Sequence, residues 1–153
     1  GAAKIKLVPK NSVLVCCIGS LGKLAIADRE LGTNQQINSL TLEDETYLEW
    51  AYLMMKDLKP QIEAFGATGA TMTNLSKTKF SNLKVLIPNN DLILEFHQKI
   101  KPVFDLIKQL TLANANLNEQ KNQLLPRLIS GKLSVEHLNI QQPPTPAQPT
   151  DNE

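Results

Sequence analysis

The chain has 153 residues, 42% of them hydrophobic and 20% charged, and a net charge of +1. That length suits one compact domain with an extension, and the near-neutral balance does not by itself point to nucleic acid. The longest apolar run is far too short to span a bilayer, nothing marks export, and a start at Gly1 instead of Met reads as a fragment.

Residues 3–42 read as strands and tight turns. Val13, Leu14, Val15, Cys16, Cys17 and Ile18 form a short, partly β-branched apolar run that suits a buried strand. Gly19-Ser20-Leu21-Gly22-Lys23 predicts a turn, Leu24-Ala25-Ile26-Ala27 a returning strand, and Gln36 to Leu42 a third strand. Cys16 and Cys17 would face opposite sides of a strand. With no metal or redox spacing, they read as buried thiols of a cytosolic protein.

The period changes over residues 43–59. Tyr47, Leu48, Ala51, Tyr52, Met55 and Leu58 recur at helical spacing. Glu43, Asp44 and Glu45 favour the positive helix start, and Pro60 is expected to close the helix. Trp50, Tyr52, Met54 and Met55 read as core packing. Residues 66–79 form a loop rich in Gly, Thr, Ser and Asn, and a polar loop of that length inside a domain is functional or disordered. Phe80 and Leu83 to Ile87 return to strand character, which Pro88 ends.

A single heptad register follows. Its a positions are Ile93, Ile100, Ile107, Asn114, Lys121 and Leu128, and its d positions are Phe96, Val103, Leu110, Leu117 and Leu124. Nine of these eleven are apolar, where the composition would give about five, so the stretch from about Leu92 to Leu125 reads as a coiled-coil helix. It would rise roughly 50 Å at about 1.5 Å per residue. Pro102 is expected to kink it, and Pro126 to start a last short helix ending at Gly131. Such a stripe needs a second helix, a second copy or another subunit to cover it. From Gln141 the Pro-rich tail cannot build a core and reads as disordered.

The charges are unevenly spread. Residues 1–27 hold Lys4, Lys6, Lys10 and Lys23 and no acid; residues 64–90 hold Lys77, Lys79 and Lys84 and no acid. Residues 28–63 hold eight acids against Arg29, Lys56 and Lys59. A fold joining the two acid-free segments would present a face that attracts phosphate; the alternative is scattered, solvated lysines.

Catalytic signatures are missing. Gly19 to Leu24 has two residues between its glycines and Leu after the Lys, so it lacks the cradle and the magnesium-holding hydroxyl of a phosphate loop. His97 and His137 have no Cys or carboxylate at ligand spacing, so no metal is expected. No Ser or Cys nucleophile signature appears. Glu43, Asp44, Glu45 and Glu49 read as a solvated helix start. Binding chemistry remains: the 66–79 loop runs into Lys77 and Lys79, and Asn34-Gln35-Gln36-Ile37-Asn38 clusters amides that either pair with base edges or satisfy loop backbone.

Three segments together resemble the specificity (S) subunit of bacterial type I restriction–modification systems. They are Gly19 to Ile26 followed by Asn34 to Asn38; Gly69 to Lys77 leading into Val85-Leu86-Ile87-Pro88; and the heptad helix closing on Leu124-Leu125-Pro126-Arg127-Leu128-Ile129-Ser130-Gly131-Lys132-Leu133. Each is weak alone; order and spacing make the match over roughly residues 4 to 135. The departure is Asn89-Asn90-Asp91-Leu92, where the family often shows a second Pro and a Glu-Gln pair.

The resemblance implies an α+β chain. A small β-rich target recognition domain with one or two short helices, incomplete at its N-terminus, would occupy residues 1–90. A long coiled-coil-type spacer helix would occupy residues 91–135, and a flexible tail residues 136–153. It implies a non-catalytic, cofactor-free subunit, cytoplasmic and nucleoid-associated, with no membrane partner. Its partners would be double-stranded DNA, modification (M) methyltransferase subunits, restriction (R) subunits through the complex, and a second conserved helix, in the same subunit or a second copy, packed antiparallel. Carried over by position, the DNA contacts would be Ser20, Lys23, Thr68, Thr71, Thr73, Asn74, Ser76, Lys77 and Lys79. The helix interface would be Ile100, Val103, Ile107, Leu110, Asn114, Leu117, Lys121, Leu124 and Leu128. The rival reading is a coiled-coil scaffold protein without DNA binding.

Overall fold

The computed structural model describes residues 7–66 and 75–136. Five short strands come first: β1 (Leu7–Val8), β2 (Val13–Cys16), β3 (Leu24–Ile26), β4 (Leu31–Gly32) and β5 (Ile37–Leu40). β2 is central in an antiparallel sheet of order β3-β2-β5, with Val13 opposite Ile26 and Leu40. β1 and β4 pair separately and antiparallel. The three strands expected from apolar runs are therefore present. β1 and β4, two residues each, carry no run long enough to register as a pattern.

A 3-10 turn (Glu45–Tyr47) leads into α1 (Leu48–Asp57), then α2 (Lys59–Gly66), α3 (Lys77–Ser81) and α4 (Asn90–Ile129). Asp44 caps the turn, its carboxylate accepting from the Thr46 N–H at 2.9 Å. Pro60 does not end the helical region. It lies in the first turn of α2, where a missing N–H costs nothing and its fixed φ suits a helix. Buried Ala51, Met55, Leu58 and Ile62 hence form one stripe across both helices. The stripe closes on Val13, Val15, Cys17, Leu21 and Leu75 to make the core, with Trp50, Tyr52 and Met54 packed against it.

Residues 83–87 are not a strand. No described strand pairs with them, and Leu86 is 90% exposed. An apolar run states that a segment is extended or buried but not whether a partner strand lies beside it. Phe80 lies in α3, which Ser76 caps by accepting from the Lys79 N–H at 3.3 Å.

α4 is the expected long helix, begun by the Asn89 side chain, which accepts from the Leu92 N–H at 2.9 Å. The departure at Asn89-Asn90-Asp91 therefore supplies a helix cap. Contrary to expectation, Pro126 opens no separate helix: α4 runs unbroken through Pro102 and Pro126. Gly131 (φ +68°) then terminates it in the left-handed conformation, its N–H donating to the Leu128 carbonyl at 3.1 Å.

The chain divides into two compact units, Gly1–Ile107 and Lys108–Glu153, the boundary falling within α4. The tail from Gln141 lies outside the described residues. No helix among the described residues is long and apolar enough to cross a membrane.

Candidate nucleic-acid interface and helix seam

The turn between β2 and β3 is built by two glycines at positive φ, Gly19 (+74°) and Gly22 (+71°). Leu21 anchors it in the core, and the Gly22 N–H donates to the Cys16 carbonyl at 3.0 Å. Gly22 is also required by contact: a Cβ there would lie 2.7 Å from Lys59 Cγ at the start of α2. Ser20 and Lys23 are left exposed on this turn.

The second acid-free segment reaches the same strand end. The Leu75 N–H donates to the Cys17 carbonyl at 2.9 Å, and the Cys16 N–H donates to the Lys23 carbonyl at 2.9 Å. Successive residues thus tie the Lys23 turn on one side and the entry to α3 on the other. Ser76, Lys77 and Lys79 follow, all exposed. Thr68, Thr71, Thr73 and Asn74 lie outside the described residues.

Lys77 also lines a groove of about 430 Å³ with Thr33, Asn38, Ser39, Ser81 and an apolar floor that includes Met55 and Phe80. No acidic side chain lines it. Of the expected contacts among the described residues only Lys77 lines it; Ser20 and Lys23 lie on the turn, and Ser76 and Lys79 lie outside the groove at the cap and in the body of α3. Two of the amides are engaged internally: Asn34 Oδ1 accepts from the Gln36 N–H at 3.0 Å, and Asn38 Nδ2 donates to Cys17 Sγ at 3.1 Å. Burial raises the Cys17 thiol pKa against the opposing effect of Asn38, so Cys17 stays protonated and unreactive at neutral pH. No cluster of metal-ligating side chains occurs among the described residues.

On α4 the seam is split. Ile93 is 1% exposed and Phe96 and Ile100 are half-buried. From Val103 onward, Ile107, Leu110, Leu117, Leu124 and Leu128 are exposed, and so are Asn114 and Lys121.

Glu49 is not solvated: it is 3% exposed, and its Oε2 lies 2.6 Å from His97 Nδ1. Forty-eight residues separate the pair, so no local spacing could reveal it. Asp44 and Glu45 do lie at the surface, and Glu45 accepts from Asn11 Nδ2 at 2.9 Å.

Comparisons with known proteins agree on one family. The type I restriction enzyme HindI specificity subunit of Haemophilus influenzae is 30% identical over 130 residues, covering 84% of this chain and 28% of that protein. The MjaIX specificity subunit of Methanocaldococcus jannaschii is 28% identical over 139 residues, covering 88% of this chain and 32% of that protein. In fold, the crystal structure of a type I restriction–modification S subunit from M. genitalium matches with a TM-score of 0.61 at 22% identity, over 83% of this chain and 34% of that one. The chain thus spans about a third of the length of the relatives it matches. With the model of the type I restriction modification DNA specificity domain matching residues 1–127, the chain belongs to that family.

Proposed function

We propose that this chain reads one half of a bipartite DNA site for a type I restriction–modification complex. It performs no chemistry itself; it delivers M methyltransferase subunits, and through the complex R subunits, to that site in the bacterial cytoplasm, at the nucleoid. The observation that carries this reading is the joining of two acid-free segments at Cys16 and Cys17, which sets the Lys23 turn beside the entry to α3. Lys23, Lys77 and Lys79 then neutralise phosphates, while Ser20, Ser76 and the hydroxyls and amide of Thr68, Thr71, Thr73 and Asn74 meet groove edges or backbone.

The exposed seam of α4 is the natural place for a second conserved helix, in the same subunit or a second copy, with M subunits docked outside. The 40 residues of α4 rise about 60 Å, which corresponds to about 18 base pairs at 3.4 Å each, the scale of a spacer between two reading heads. The test is binding of the assembled complex to its cognate site across a salt series. The Lys77→Ala, Lys79→Ala double variant is expected to weaken binding and to flatten the slope of log K against log salt by about 2. An unchanged affinity and slope would show that the contact surface lies elsewhere.

A further inference from the structure

Asn90, His97 and Phe104 stand seven residues apart on α4, on a stripe beside the seam, and each meets a residue of α1 or of the turn before it. Tyr47 Oη donates to Asn90 Oδ1 at 2.7 Å. His97 Nδ1 lies 2.6 Å from Glu49 Oε2. Tyr52 packs edge-on against Phe104, with ring centroids 5.6 Å apart. The first part of α4 is therefore held to α1 at three levels, and the middle level is a buried, directional, polar contact.

That choice needs a reason. A buried carboxylate is costly unless paired, and apolar side chains of the same volume would hold two helices together at least as firmly. An apolar contact tolerates small slips and rotations. A 2.6 Å bond between two largely buried polar groups does not, because any slip leaves the Glu49 carboxylate unpaired.

We propose that Glu49 and His97 are positioning residues whose bond fixes the angle between the recognition domain and the spacer helix, and so the half-site spacing that the complex accepts. The inference rests on the DNA-reading function proposed above. A domain of about 100 residues has a radius of gyration of about 13 Å, so a reading surface lies on the order of 20 Å from the contact. A rotation of about 10° there moves that surface about 3.5 Å, which is one base-pair step.

The test is methylation, by the complete complex, of a DNA set that keeps both half-sites and varies the spacer by one base pair at a time. The parent complex is expected to modify one spacer length. His97→Ala and Glu49→Ala are expected to raise modification of the neighbouring lengths, relative to the cognate length, by about tenfold, because a displacement of this scale governs reaction rate. His97→Asn, whose amide nitrogen takes the place of Nδ1 and can still donate to Glu49, keeps the single length. Tyr47→Phe, which removes only the exposed outer bond and leaves folding intact, broadens the spacing by a smaller factor and stands in should the alanine variants not fold. Ile62→Val, a core change on α2 that is no part of the three contacts between α4 and α1 or its preceding turn, lowers total modification and keeps one length. Alanine variants, or Tyr47→Phe in their place, that behave like Ile62→Val would overturn the inference while leaving DNA recognition standing. A parent complex that modifies no length would overturn both.

Discussion

Leu110 and Leu117 are 55% and 61% exposed, which makes them a clean probe of the seam. Substituting both by Ala removes surface that contributes little to the fold of the chain itself, and Ala favours the helix, so unfolding free energy should move by no more than about 0.5 kcal/mol per site. Association is a different matter. Fully burying a leucine is worth about 1.5–3 kcal/mol, so covering the exposed half contributes about 1 kcal/mol for each. In a two-fold pair each substitution counts twice, giving about 4 kcal/mol for the double variant and a dissociation constant raised about a thousandfold. Sedimentation velocity over a concentration series, with thermal unfolding on the same samples, separates the two effects. A parent chain that stays monomeric at its highest concentration refutes pairing through a second copy. A dimer indifferent to the double substitution refutes the seam as its surface.

Other expectations follow from the core and the caps. Ile62→Ala empties a fully buried site where α2 meets the sheet and should cost about 2–5 kcal/mol in denaturant unfolding. Gly22→Ala combines a left-handed φ with a 2.7 Å approach to Lys59 Cγ, so it should destabilise by about 1–3 kcal/mol; a neutral result would mean that the turn relaxes freely. Asp44 is held below the usual carboxylate range by the Thr46 N–H. A depressed folded-state value stabilises above the unfolded pKa of about 3.9 and is lost as pH falls through the folded value. Urea midpoints of the parent and Asp44→Ala should therefore differ at pH 7 and converge in strong acid.

The helix and the central sheet were legible in the sequence because each carries a local periodicity. The heptad from Ile93 to Leu128 and the apolar run from Val13 are patterns within one segment. What escaped was decided by partners far along the chain. Leu83 to Ile87 looks like a strand, yet strand formation needs a neighbour that no local window contains. In the sequence Pro60 and Pro126 look like boundaries. Pro60 instead fits a first turn, and Pro126 lies in the last turn of α4, where its missing N–H removes one helical bond, the one to the Asn122 carbonyl. Glu49 sat in an acidic helix start and read as solvated; only the return of α4 buries it against His97. Of the proposed contact residues, Ser76 carries a local signal of its own, a capping hydroxyl three residues before the Lys79 N–H it satisfies.

The most direct measurement is a genome-wide map of modified bases in the host strain, with and without the gene for this chain. The account predicts one bipartite motif, two specific halves around a fixed unspecified spacer, modified in the parent and unmodified in the deletion. A map that is the same in both strains would contradict it.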